Sequence, residues 1–373
     1  MKTLPLSPVD LQFALGNHPI EMLFFYPDGL PLTAIRRAMA MLADVFWPLF
    51  GAQDGLRIVF DRYNESAVYG EEQAQGPFLP ADSETERHAQ FAVYSPTDMP
   101  RLFYLKAIRF SNGIGLIPKM QHLAGDGYSY FFYLSLLAML TGKSPLSFRY
   151  LLTRTVLRPR LSRRPCSAGD ISLPAVAPPV AERPELDVLT RSRQAVELSM
   201  TASARMSGED VTANDVLSAE VVKRLSASDG QARSADLTLT MPIDVRRRVK
   251  GMGSRFIGNG LYMHRLTFER EQIAAFSVEE IAAFIRASMP TISSERFDAD
   301  LETRCRAAAE GDPDAWRPFD PDSGCLTTNI SRLPTHRLDF GSGPPAMVIP
   351  LTVARHSAAI FRYGDEYRVR LAY

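Results

Sequence analysis

The sequence predicts a mixed α/β (α+β) protein built from two layered domains. Three observations carry this. Strand-like segments rich in aromatic and β-branched residues alternate with helical segments in both halves of the chain. A proline-dense stretch separates those halves. The 373 residues, 46% hydrophobic and 23% charged, have an ordinary globular balance and suffice to bury a sizeable core.

In the N-terminal half, Ile20-Glu21-Met22-Leu23-Phe24-Phe25-Tyr26 reads as a strand. A helix is expected over 34–43, with Thr33 as its N-cap and apolar residues at helical spacing. Residues 55–62, 102–110 and 115–120 read as strands, the last two joined by the turn Ser111-Asn112-Gly113. Residues 128–140 form a helix so apolar that it must be buried. Between 144 and 184 lie Pro145, Pro159, Pro165, Pro174, Pro178, Pro179 and Pro184. That density excludes a regular helix or a central strand and predicts a partly extended linker.

In the C-terminal half, 195–200 reads as a strand and Thr212 as the cap of a helix running to about Ser226. Residues 236–242 form a strand, and 278–288 and 298–309 form helices. Strands at 346–353, 358–363 and 367–373 close the chain, the last two as a hairpin over Gly364-Asp365. The expected boundaries are a domain at 1–150, a crossover at 151–188 and a domain at 189–373.

Lys+Arg and Asp+Glu both number 42, so net charge gives no argument for nucleic acid or an anionic membrane as partner. No run of about 18 apolar residues exists to span a membrane. Pro5 and Asp10 interrupt the apolar region that a signal peptide would need. Cys166, Cys305 and Cys325 make neither a disulfide framework nor a CxxC metal site, and no two histidines sit at ligand spacing. These features predict a soluble, monomeric, cytoplasmic protein in a reducing compartment, with no metal.

The run Gln121-His122-Leu123-Ala124-Gly125-Asp126-Gly127 carries the chemistry. A strand ends before it and a helix starts at its end, so His122 lies in a tight connection at a sheet edge, where a side chain reaches a cleft. Gly125 and Gly127 are expected to supply backbone angles that other residues resist. A neutral imidazole, with an unperturbed pKa of about 6.5, can take a proton from an attacking group and return it to a leaving one. The motif alone does not separate a catalytic histidine from a structural one, and His18, His88, His264, His336 and His356 also occur.

A second constellation lies near the C-terminus, where Thr328-Asn329-Ile330-Ser331-Arg332-Leu333-Pro334 precedes Asp339-Phe340-Gly341-Ser342-Gly343. HxxxDG followed by DFG resembles the BAHD family of acyl-CoA-dependent acyltransferases. Leu6-Ser7-Pro8-Val9-Asp10, residues 212–219, Asp244-Val245-Arg246 and Gly258-Asn259 are similar to further family fragments, in the same order. The resemblance thus runs from end to end.

It implies two chloramphenicol-acetyltransferase-like domains, each a mixed sheet flanked by helices, with a channel between them. Acyl-CoA would enter as co-substrate from one face and a small-molecule alcohol or amine from the other, with no tightly bound cofactor and no acyl-enzyme. Specialised metabolism is the implied setting. His122 matches the general base. Asp126 matches an aspartate that turns away from substrate and orders the site. Arg246 is expected to pair with it, because a buried carboxylate needs a partner. Thr328 matches a hydroxyl that steadies the oxyanion, and a slip of one residue to Thr327 would reverse its face. Asp339 and Gly341 match a structural motif remote from the chemistry.

Ile330 and Ser342 depart from the family, which commonly has tryptophan at both places, so the acceptor preference of plant members does not transfer. Arg149, Arg154, Arg158, Arg160, Arg163 and Arg164 read as a solvated linker, or as a landing site for an acidic acyl-carrier protein or for CoA phosphates. A carrier-dependent or condensation-type enzyme of the same fold is the alternative, although such enzymes carry a second histidine where this chain has Gln121. A non-catalytic binding protein is the other alternative, opposed by the intact His122 and Asp126.

Overall fold

A computed structural model describes residues 1–14, 19–79, 84–97, 99–142, 146–161, 185–228, 235–312 and 314–373. The N-terminal half runs β1 (Lys2–Pro5), α1 (Pro8–Leu11), β2 (Ile20–Tyr26), α2 (Leu32–Leu42), β3 (Ala52–Asp54), β4 (Arg57–Phe60), β5 (Tyr69–Gln73), α3 (Glu84–Ala92), β6 (Phe103–Phe110), β7 (Gly113–Met120), α4 (Gly127–Thr141) and α5 (Leu146–Thr155). The C-terminal half runs β8 (Leu186–Ser192), α6 (Arg193–Ser207), α7 (Ala213–Ser228), β9 (Asp236–Asp244), β10 (Leu261–Glu269), α8 (Arg270–Ala275), α9 (Val278–Ala287), α10 (Ser294–Ala309), β11 (Gly324–Asn329), β12 (Met347–Pro350), β13 (Ser357–Tyr363) and β14 (Glu366–Ala372).

The first large sheet has the order β12-β2-β7-β6-β5, and its strands β2 and β7 are buried on both faces. The two-residue period of its strands explains how. Met22, Phe24 and Tyr26 of β2 enter one core with α2 and α4, while Leu23 and Phe25 enter a second with Phe78, Phe91 and Phe110. Helix α4 is apolar all round because its neighbours leave it no wet face; Tyr130, Phe131, Tyr133, Leu134 and Leu137 are all buried. The second large sheet has the order β10-β9-β11-β13-β14-β8. Its covered face packs Leu239, Cys325, Ala358, Ile360, Val369 and Leu371 against α6, α7 and α9. The fold class is therefore the mixed α/β one that the sequence predicts.

The halves are interlocked rather than merely adjacent. Strand β12 comes from the C-terminal half yet pairs antiparallel with β2 in the first sheet. Buried Arg370 of β14 donates to the carbonyls of Pro350 and Thr352 just beyond it. Tyr26 donates its hydroxyl to Leu338 O at 2.9 Å, and Phe340 meets the Tyr26 ring edge-on at 6.0 Å. Helix α1 sends Leu11 into the N-terminal core and Val9 into a separate cluster with Val245, Val249, Phe297 and Leu301.

Several local expectations are corrected. Residues 195–200 belong to helix α6, not to a strand: Ser192 caps it, left-handed Gly208 ends it, and Ala, Gln, Glu, Met and Arg favour a helix. The proline-rich segment does hold a regular helix, contrary to expectation, because 146–155 lies between Pro145 and Pro159 and folds as α5. Its residues 162–184, including Cys166, Arg163 and Arg164, lie outside those described, as does His18. Thr33 is not a cap: Ala34 and Ile35 N–H already bond to Pro31 O, so α2 starts earlier. Cys325 is a buried thiol whose pKa burial pushes up to about 12. Cys305 is buried against the N-terminal core. Among the described residues no helix is long and apolar enough to cross a membrane.

The Tyr26 hydroxyl is a side-chain tie between the first sheet and the segment leading to β12. Tyr26→Phe deletes it and leaves the buried Leu338 carbonyl without this donor, which should cost roughly 1–3 kcal/mol. Urea unfolding measures the loss, and an unchanged midpoint would show the tie to be dispensable.

Candidate active site

Asp126 ends the connection that β7 begins. It is the N-cap of α4, and its Oδ1 accepts from Ser129 N–H at 3.0 Å. Its side chain is 2% exposed, and that of Arg246, just beyond β9, is 1% exposed. The two form the expected pair, and it is bidentate. Arg246 Nη1 donates to Oδ2 at 2.8 Å and Nη2 to Oδ1 at 2.7 Å. Gly260 N–H adds a bond to Oδ2 at 2.9 Å.

The remaining guanidinium protons are also engaged. Nη2 reaches Ser129 Oγ at 3.1 Å and Gly258 O at 2.9 Å, Nε reaches Phe256 O at 3.2 Å, and Nη1 reaches Asp244 Oδ1 at 3.2 Å. Tyr128 covers the guanidinium with its ring at 4.6 Å. Burial pushes the Asp126 carboxyl up, but the Arg246 charge and the hydrogen bonds from Arg246, Ser129 and Gly260 outweigh this and hold it below its ordinary value. Burial likewise pushes Arg246 down, and Asp126 and Asp244 more than restore it.

This packing dictates the glycines. A Cβ on Gly260 would lie 2.8 Å from Arg246 Nη1, and one on Gly125 would lie 2.7 Å from Ser129 Cβ. Gly125 itself is extended, with φ 168°, so its requirement is space and not an unusual angle, contrary to expectation. Gly127 is similarly set by crowding: its Cβ would meet Leu333 at 3.3 Å.

His122 opens a single 3-10 turn, His122–Ala124, between β7 and α4. It is half-buried, and Phe13 stacks on its ring at 3.7 Å. Nδ1 lies 3.1 Å from Asn259 Oδ1. Asn259 Nδ2 donates to His122 O at 2.9 Å and to Asp10 Oδ1 at 2.8 Å. Both of those are acceptors, so the Asn259 oxygen faces the ring and Nδ1 must carry the proton. Nε2 is then the basic nitrogen. The Asp126–Arg246 pair acts one step behind, fixing the backbone on both sides: His122–Asp126 on the exit from β7 and 256–260 on the approach to β10.

Other histidines bond to backbone carbonyls, His88 to Leu351 O and His336 to Arg362 O. Thr327 and Thr328 alternate on β11. Thr327 is buried and shares a hydrogen bond with Ser218 of α7 at 3.2 Å. Thr328 has the opposite face, in register with Ala359 and Arg370, the latter reaching the carbonyls of Pro350 and Thr352. Beyond it, half-buried Ile330 packs on the N-terminal core and Leu333 reaches Gly127. The strand end is thereby carried to the start of α4.

Asp339 and Gly341 sit elsewhere. Asp339 Oδ1 accepts from Gly341 N–H at 2.7 Å and Gly343 N–H at 2.9 Å, around glycines with φ 106° and 90°. A Cβ on Gly341 would lie 3.7 Å from Thr141 O, at the far end of α4 and about 20 Å from His122 along the helix. Arg154 pairs with Asp44 at 3.3 Å, while Arg158 and Arg160 are exposed. Arg160 bonds by its backbone to Arg255 and Ile257, next to the Asn259 segment.

Sequence reasoning places Asp10 and Asn259 in family-like fragments without giving them roles, and it misses Phe13 and Ser129. The spacing Ser7-x-x-Asp10 is a capping-box signal that could have marked the first of these.

The comparisons agree with this architecture. The model described as "Transferase family" matches residues 76–366. Hydroxycinnamoyltransferase 2 of Oryza sativa subsp. japonica is 24% identical, over 90% of this chain and 80% of its own. TRI101 of F. graminearum, solved with coenzyme A and deoxynivalenol, superposes with a TM-score of 0.71 at 16% identity, covering 100% of this chain and 95% of its own. Vinorine synthase gives 0.70 at 15% identity, covering 100% and 90%.

Breaking the buried pair leaves one charge stranded. Asp126→Asn should cost roughly 3–5 kcal/mol at neutral pH. Because the folded carboxyl is held below its ordinary pKa of about 3.9, its contribution is complete above that value. It is lost as pH falls through the lower, folded value. The difference in urea midpoint between wild type and Asp126→Asn should therefore be smaller at pH 3 than at pH 7. Equal midpoints at pH 7 would remove the pair as a source of stability.

Proposed function

The chain belongs to the transferase family as a BAHD acyl-CoA acyltransferase, and on that premise we propose that His122 is its general base. The reaction moves an acyl group from the thioester of acyl-CoA to a hydroxyl or amine of a small molecule, in specialised metabolism. The observation that carries this reading is the bond between His122 Nδ1 and Asn259 Oδ1, which leaves Nε2 as the proton acceptor.

Nε2 removes the proton from the acceptor as its oxygen or nitrogen attacks the thioester carbonyl. A tetrahedral intermediate forms, with the negative charge on the former carbonyl oxygen. Its collapse breaks the C–S bond, and the departing thiolate takes the proton back from Nε2. No acyl-enzyme forms, and both substrates occupy the site together. The like-folded TRI101 structures, which hold coenzyme A with deoxynivalenol or with T-2, support such a ternary complex. Thr328 is the candidate oxyanion donor, because its face of β11 is turned from the helix-covered core. Asp126 and Arg246 hold the site's backbone, and Asp339 and Gly341 belong to architecture at the other end of α4.

His122→Ala should lower kcat by about 10²–10⁴-fold with the fold intact. Thiol release from acetyl-CoA and longer acyl-CoAs, with a panel of alcohols and amines, measures it; near-full activity in the variant would refute the assignment. Thr328→Ala should lower kcat by about 10²-fold. A loss on Thr327→Ala instead would move the donor to the other face.

A further inference from the structure

We propose that Asp10, brought in from the N-terminal turn, is the positioning residue that sets the ring tautomer of His122 through Asn259. The inference rests on the reading of His122 as the base. Asp10 is fully buried in α1. Its Oδ2 accepts from Ser7 N–H at 2.8 Å and from the Ser7 hydroxyl at 2.7 Å. Its Oδ1 faces Asn259, accepting from Nδ2 at 2.8 Å and from the backbone N–H at 3.3 Å.

The chain of logic runs through the two ends of one carboxamide. The end that meets Asp10 Oδ1 and His122 O must be the amino group, since neither partner can donate. The carbonyl end must therefore meet the ring, and only a protonated Nδ1 can satisfy it. Rotating Asn259 by half a turn would press its oxygen against a carboxylate and a carbonyl in a buried site. That penalty keeps the Nδ1–H tautomer and leaves Nε2 basic. A neutral amide at position 10 would remove the carboxylate's part of it, since its own N–H₂ could donate to the oxygen of the rotated Asn259, while the His122 carbonyl would still oppose that form. The preference for one orientation would then be weaker, and both tautomers would be populated.

Asp10 cannot turn away from this task. Its neighbours Val9 and Leu11 are locked in different cores, and Ser7 fixes the other carboxylate oxygen. Three residues on, Phe13 lies against the ring face. One short turn at the start of the chain thus supplies both the stacking surface and the polar restraint.

Ring ¹⁵N shifts in the full-length, histidine-labelled protein report the tautomer directly, with His122→Gln to assign the signals. The wild type should show a protonated Nδ1 and a basic Nε2. Asp10→Asn should show a mixed pattern, with kcat lowered at least about tenfold and KM for donor and acceptor within about twofold. Tyr26→Phe, destabilised at a place remote from the ring, should keep the wild-type pattern and kcat. A folded Asp10→Asn protein with the wild-type pattern and kcat would overturn the proposal, and so would an equal kcat loss in Tyr26→Phe. Should Asp10→Asn fail to fold, Asn259→Ala decides: a mixed pattern supports the chain, and retention of Nδ1–H overturns it. A changed pattern with unchanged kcat would uphold the positioning role and count instead against His122 as the base.

Discussion

Arg246 carries a charge to a place that water does not reach, and the surroundings of His122 are arranged around making that tolerable. Moving either ion of the Arg246–Asp126 pair out of water costs several kcal/mol, which attraction repays only with good geometry and a partner for every proton. Here both conditions are met. The guanidinium forks onto the carboxylate, and its other protons reach Ser129, Gly258, Phe256 and Asp244. Asp126 caps α4, so the pair fixes the entry angle of a largely buried helix as well. A polar network satisfied to this degree is rigid, because any displacement strands a charge.

The rigidity is transmitted by backbone. Asp126 lies four residues after His122, and Gly258 lies next to Asn259, so the pair clamps both segments that present polar groups to the ring. Gly125 and Gly260 are present because a methyl group would collide with Ser129 or Arg246. The same need for close approach explains why the halves of the chain interlock through β12, Tyr26 and Arg370. A site divided between two segments far apart in sequence holds its geometry only if the bodies that carry them are fastened together.

Much of the first sheet was legible because its signals are local. Residues 20–26 and 103–110 alternate between two apolar faces, and α4 is apolar throughout, as period and composition dictate. The hairpin over Gly364 was legible for the same reason. Failures came where the local signal was weak or overridden. Residues 195–200 hold enough apolar side chains to mimic a strand, but Ser192 and Gly208 delimit a helix around them. Proline counts over 144–184 concealed α5, which occupies a proline-free interval. Strand β12 reads as a strand, yet nothing local says that it joins the sheet of the other half.

By itself, the sequence determined the fold class, the family and the identity of His122, Asp126 and Arg246 as candidates, because these rest on residue types at fixed spacings. It also determined that an aspartate before a buried helix would need a cation. Tertiary structure alone decided which nitrogen of His122 is basic, because that depends on the orientation of Asn259. That orientation depends in turn on Asp10, some 250 residues away in the chain and 2.8 Å away in space. Hydrogen-bond polarity passes only between atoms in contact, and which atoms those are is fixed by packing.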